Sequence, residues 1–145
     1  MLFRSNTLNV VRVYVPHRIT ITKVGIRLST AFTGGKYAVA IYSSDGNTKH
    51  IDTGAQSTTS AGTQVITLGA SVTLSPGFYW YAFTVDNTTA GFRAAAHDGS
   101  DLALNADTTQ TGTAANASSV GVMPSTLGTI TGSDTQAIPV TKFQG

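Results

Sequence analysis

Leu74-Ser75-Pro76-Gly77-Phe78-Tyr79-Trp80-Tyr81-Ala82-Phe83-Thr84-Val85 is the stretch that decides the fold. A Ser-Pro-Gly turn runs straight into a strand that carries the only Trp of the chain. Pro76 presets its own φ, and Gly77 tolerates the positive φ that the third residue of a type II turn needs. The residues after it are aromatic, β-branched or small, the composition of a strand packed on a sheet face. Alternation places Phe78, Trp80 and Ala82 on one face and Tyr79, Tyr81 and Phe83 on the other. Both faces are apolar. The strand is therefore expected to be central and covered on both sides, which calls for two packed sheets.

Outward from this strand the pattern keeps a period of two, and no segment has a convincing helical period. Val11, Val13 and Val15 alternate with Arg12 and Tyr14 until Pro16 breaks the run. Ile19, Ile21, Val24, Ile26 and Leu28 follow, with a slip of phase near Thr22-Lys23 that predicts a β-bulge. Residues 37–42 are apolar on both faces, and Ser43-Ser44-Asp45-Gly46-Asn47 reads as a turn. Residues 51–56 form a weak strand, and residues 65–74 one strand interrupted at Gly69. Residues 91–96 and 138–143 complete the set, with Pro139 suited to an edge. Strands spaced this way predict an all-β, two-sheet, jelly-roll-like sandwich in a single domain, 1–145. Trp80, Phe78, Ile41 and Val39 are its expected core.

Residues 98–137 differ. They are dominated by Ala, Thr, Ser, Gly and Asn and show no strong period, and the stretch is too long for an ordinary loop. They are read as a long irregular arm ordered against the sandwich or a neighbouring subunit. Leu104, Val122, Met123, Leu127 and Ile130 are its candidate anchors.

The chain has 145 residues, about one domain. It has no Cys, so neither disulfides nor thiolate metal ligands enter the reading. All seven carboxylates are Asp, and charged residues make up only 11%. Ser and Thr make up about a quarter of the chain. No apolar run approaches the ~18 residues of a membrane span, and the N-terminus lacks the apolar region of a signal peptide. No membrane partner is expected.

Charge is unevenly placed. Residues 1–50 carry Arg4, Arg12, Arg18, Lys23, Arg27, Lys36 and Lys49 against Asp45, a net +6. Residues 51–145 carry Arg93 and Lys142 against six aspartates, a net −4. The basic residues are spread along strands and not clustered, so nucleic acid is not the expected partner. Docking between copies, or onto an acidic protein surface, fits the pattern better. The candidate interaction surface comprises Arg12, Arg18, Lys23 and Arg27 with Tyr79, Tyr81 and Phe83.

The order of four segments resembles a β-sandwich domain that recurs in tailed-bacteriophage virion proteins. They are Tyr14-Val15-Pro16-His17-Arg18-Ile19-Thr20-Ile21-Thr22-Lys23-Val24-Gly25-Ile26, then Ala38-Val39-Ala40-Ile41-Tyr42 running into an Asp-Gly loop. Leu74-Ser75-Pro76-Gly77-Phe78-Tyr79-Trp80 is the third. Leu127-Gly128-Thr129-Ile130 followed by Ala137-Ile138-Pro139-Val140 is the fourth. The resemblance implies a part of a virion, found on capsids, necks, tails or fibres.

Catalytic and metal constellations are thin. His97, Asp98 and Ser100 can be written as a triad, but triads are defined by geometry, and no nucleophile-elbow motif is present. His17, at a strand start, reads as a surface or turn residue, and His50 and His97 lie beside Asp52 and Asp98 in the sequence. Glycoside hydrolysis calls for two positioned carboxylates, and the chain has no Glu. Asp45-Gly46-Asn47 and Asp98-Gly99-Ser100-Asp101 carry oxygen ligands but lack the acid count of an EF-hand loop, and their residues are ordinary turn formers. The expectation is a non-enzymatic virion protein without cofactor or metal. Its expected role is a capsid-surface decoration or cement protein, forming homotrimers and contacting the major capsid protein on the particle surface. The alternative is a receptor- or carbohydrate-binding module of a tail fibre with a cell-surface glycan as partner.

Overall fold

The computed structural model describes residues 1–96, 111–132 and 137–145. Over these residues the chain is all β and contains no helix. In chain order the strands are β1 (Asn9–Val15), β2 (Ile19–Thr30), β3 (Lys36–Ser43), β4 (Lys49–Asp52), β5 (Gln56–Ser57) and β6 (Gly62–Leu74). They continue with β7 (Gly77–Val85), β8 (Gly91–Phe92), β9 (Ala94–Ala96), β10 (Thr111–Ala114), β11 (Ile130–Gly132), β12 (Ala137–Pro139) and β13 (Thr141–Gln144).

Two antiparallel sheets pack face to face as a β-sandwich. The large sheet has the order β11-β10-β1-β7-β3-β4, with β5 also on β3. The small sheet has the order β13-β2-β6, with β8 on β2. β9 and β12 form a two-stranded ribbon beside it. The aromatic strand β7 is central: β1 pairs with it on one side and β3 on the other along nearly its whole length. The bulge expected near Thr22 is present, because the β2–β6 register shifts between Ile21 and Lys23.

Alternation sorts the side chains of β7 as expected, but the two faces are covered by different means. Tyr81, Phe83 and Val85 point between the sheets into the main core with Val39, Ile41, Ile26, Leu28 and Phe92. Phe83 and Phe92 stack edge to face at 4.8 Å between centroids. Trp80 and Ala82 point outward. They are covered by residues 115–129, the irregular connection from β10 to β11, here called the cap. A second core forms there from Leu8, Val10, Ala40, Tyr42, Trp80, Met123 and Leu127.

Two sequence expectations need correction, and a third is met in one of its two forms. Over the described residues 111–132 the stretch read as a long irregular arm is ordered against the sandwich, with two strands that the periodicity did not predict. β10 pairs with β1, β11 pairs with β10, and the cap lies on the molecule's own large sheet. Met123 and Leu127 are buried there, Ile130 packs at the margin, and Val122 points to solvent. Leu104 lies outside the described residues. Phe78 is not core. It is 46% exposed, because the cap reaches Trp80 and stops short of the start of β7. Tyr81 and Phe83 are not a surface. The small sheet covers them, and they are 3% and 0% exposed.

The cap is fastened at both ends and in the middle. The Tyr42 hydroxyl donates to the Pro124 carbonyl at 2.6 Å. The Leu127 amide donates to the Gly46 carbonyl at 2.9 Å, and the Asn116 side chain donates to the Thr126 carbonyl at 2.9 Å. The hydroxyls of Thr84 and Ser118 bond to each other in a buried site. Burial pushes the Tyr42 hydroxyl well above the usual tyrosine range, with the nearby Asp52 charge adding to it, so the group stays a donor at any ordinary pH.

Candidate interaction surfaces

The outward face of the small sheet is cationic. β2 alternates strictly after its bulge: Val24, Ile26 and Leu28 point into the core, so Lys23, Gly25 and Arg27 point out. Register then decides which side chains join them. Lys142 of β13 lies opposite Gly25, and Gln144 lies opposite Lys23. On the other side of β2, Thr67, Val65 and Thr63 lie opposite Lys23, Gly25 and Arg27. β8 places Phe92 opposite Leu28, and the next amide, that of Arg93, donates to the Arg27 carbonyl at 3.0 Å. Arg93 is therefore directly across from Arg27 on the same face. Lys23, Arg27, Arg93 and Lys142 are all exposed. Lys23 and Arg27 are about 13 Å apart along the strand.

No carboxylate offsets these charges among the described aspartates. Asp52 bonds Lys49 at 2.6 Å, the one ion pair among the described residues. Asp86 accepts from the Lys36 amide at 2.8 Å, and Asp45 lies in the loop between β3 and β4. All three belong to the large sheet or its loops.

The expected interaction residues are thus not brought together. Lys23 and Arg27 share the small-sheet face. Arg12 is on the outer face of the large sheet, across the sandwich. Arg18 lies in the exposed turn between β1 and β2. Tyr79 is half-buried at the rim of the main core, with its hydroxyl donating to the Ser75 carbonyl at 2.7 Å and its ring edge-on to His50. Arg93 and Lys142 complete the face from the acidic half of the sequence. Only strand pairing reveals them.

A second surface lies beside the cap. β1 and β7 pair Tyr14 with Phe78 and Arg12 with Trp80. Tyr14 and Phe78 are exposed, with centroids 5.0 Å apart and planes tilted by 48°. The Arg12 guanidinium carbon sits 4.9 Å from the Phe78 centroid and 5.6 Å from that of Trp80. Beneath it, the Trp80 indole N–H donates to the Ser44 carbonyl at 3.0 Å. The result is a shelf of two exposed rings with a cation fixed at its inner edge.

A third feature is an apolar cleft of about 390 Å³ where the sheets part, between β1 and the β12–β13 segment. Val13, Ile19, Ile138 and Phe143 are among its walls. The buried Tyr81 hydroxyl shares a hydrogen bond of 2.7 Å with Thr141 at this cleft.

His50 is exposed and near Tyr79, and Asp52 is engaged by Lys49, so these two do not form a catalytic pair. The written triad, His97, Asp98 and Ser100, lies outside the described residues, as does Asp101. Asp45 is a turn residue. It accepts from the Ser43 hydroxyl and from the Asn47 amide, which hold its carboxyl below the usual range. Among the described residues no group of three or more His or Asp side chains could hold a metal, and no helix is long and apolar enough to cross a membrane. The chain matches no known protein family, no curated protein and no solved structure.

Proposed function

We propose that this protein is a non-enzymatic structural protein of a virion surface, which docks through the cationic outer face of its small sheet. The reading rests on one observation. Four exposed cations, Lys23, Arg27, Arg93 and Lys142, line one sheet face that no described aspartate shares. Such a face attracts an acidic surface from a distance and orients it on approach. The resemblance to tailed-bacteriophage virion sandwiches suggests what that surface is: the major capsid protein, with further copies of this chain assembled as a trimer. A decoration protein of this kind works by mass action, since binding the assembled shell and not its free subunits stabilises the shell. Imaging of the intact particle at residue resolution tests it. The expected result is this chain on the outside of the shell with β2, β6 and β13 facing it. A position at a fibre tip, or a small sheet turned to solvent, overturns the proposal.

A second reading, a carbohydrate-binding module, is favoured by the shelf. Exposed aromatic rings beside an arginine suit the apolar face and hydroxyls of a sugar ring. Shifts of the Tyr14 and Phe78 ring resonances on titration with a host-surface glycan, lost in Phe78→Ala, would favour it over docking on a shell. Unmoved rings would remove it.

A further inference from the structure

We infer that Arg27 and Arg93 act together as a two-armed receptor for a carboxylate side chain on the acidic partner surface. The inference rests on the docking role proposed above and names the point where docking is anchored.

The observation is a conflict within the sheet. Every other cation on this face has a neutral residue directly across from it: Thr67 and Gln144 beside Lys23, Gly25 beside Lys142, and Thr63 on the far side of Arg27. Arg27 and Arg93 alone face each other, joined through the Arg93 amide and the Arg27 carbonyl. Like charges directly opposite in an antiparallel pair destabilise it. Neither guanidinium has a hydrogen bond or an ion pair to relieve this among the described residues.

The surroundings fit a bound anion. Both arginines line one surface depression of about 510 Å³, whose walls include Leu28, Ser29, Phe92 and Ala94. None of the described aspartates lines it. Each guanidinium presents a planar fork of N–H donors matched to a carboxylate, and two facing forks can share its two oxygens. The bound carboxylate then converts a repulsive pair into two attractive ones. A lysine pair, with compact and strongly hydrated charges, would lack that fit.

The test is titration of the full chain with a labelled oligo-aspartate peptide at low salt. The wild type, Arg27→Gln, Arg93→Gln, the double variant and Lys142→Gln are compared. Each single arginine variant should weaken binding about tenfold or more, the value of a lost charge-assisted hydrogen bond. The double variant should be little worse than either single one, because the two arms hold one group. Lys142→Gln should weaken binding only about two- to threefold, as loss of an exposed charge does. Arg27→Lys keeps the charge and should still bind poorly. A control unrelated to binding is the melting temperature without peptide: Arg93→Gln should raise it at low salt by removing the repulsion. Equal and additive losses for all three cations overturn the receptor and leave the cationic docking face standing. A wild-type chain that ignores oligo-aspartate at low salt overturns both. Tighter binding of a single-stranded DNA oligonucleotide than of the peptide overturns the acidic protein partner.

Discussion

Trp80 and Phe78 are two positions apart on one face of one strand, yet they face opposite environments. Trp80 is 4% exposed and donates its indole N–H to Ser44, whereas Phe78 stands at the open edge. Trp80→Ala should cost roughly 3–5 kcal/mol, since it empties a packed site and strips a carbonyl of its donor. Phe78→Ala should cost about 1 kcal/mol or less, mostly the lost contact with Arg12. Denaturant unfolding of the two variants measures the contrast, and equal losses would contradict it. Indole emission of the folded wild type should be that of a shielded ring. Asp45 gives a pH dependence at the same scale. Its carboxyl is held low by the Ser43 hydroxyl first and the Asn47 amide second. Its ordinary value is 3.8, so the support it gives the β3–β4 loop is complete above that pH. The support is lost as pH falls through the lowered folded-state value. An NMR titration of Asp45 should give a midpoint below 3.8 that rises in Ser43→Ala. A wild-type midpoint at or above the ordinary value would show that the loop does not hold the carboxylate.

The cap is the element that sequence periodicity could not reveal. Strands announce themselves because alternate residues face one core: β2, β3 and β7 were legible from Ile21, Val39 and Tyr81 and their neighbours. Residues 115–129 follow the sheet surface irregularly, touch it through Met123 and Leu127, and satisfy their backbone through scattered bonds to Asn6, Gly46 and Thr129. Two anchors at arbitrary spacing leave no period to detect. The same limit misplaced Phe78, because only the extent of the cap decides where the covered part of β7 begins. Leu127 is fully buried, and its backbone is tied to Gly46, which has a φ of +73°. A Cβ at Gly46 would stand 3.2 Å from the Leu127 Cβ, so this close approach favours glycine twice over. Leu127→Ala should cost about 2–5 kcal/mol if the cap stays down, and less if it detaches and the cavity opens to water. Limited proteolysis separates the cases. The free wild-type chain should resist cleavage within 115–129 without any partner, and Leu127→Ala should be cut there first. Rapid cleavage of the free wild-type chain would mean that the cap is not held by its own sandwich.

At the scale of the whole molecule, the charge split between sequence halves pointed to a basic surface but not to its members. The fold divides the cations by sheet, not by order in the chain. Arg12 is carried to the far side of the sandwich, while Lys142 and Arg93 are brought in by β13 and β8 from the acidic half. Pairing register is set by turns and bulges across the whole chain, so no local reading could have joined Lys142 to Gly25. The assembled face has a consequence for salt. In the free molecule its four cations repel one another, and screening relieves that repulsion. In a complex the same cations attract an acidic partner, and screening weakens that attraction. The Debye length falls from about 30 Å at 0.01 M to about 3 Å at 1 M. Neighbouring charges on this face, roughly 5–13 Å apart by strand spacing, lie inside the first distance and at or beyond the second. Raising sodium chloride over this range should therefore raise the melting temperature of the free chain and weaken its binding to oligo-aspartate. The two effects should shrink together when Lys23 and Lys142 are both changed to Gln. Calorimetry and a binding titration on the same samples provide the measurement. A melting temperature that falls with salt while binding also falls would mean that the stability effect comes from other charges, and that this face is not the molecule's main electrostatic feature.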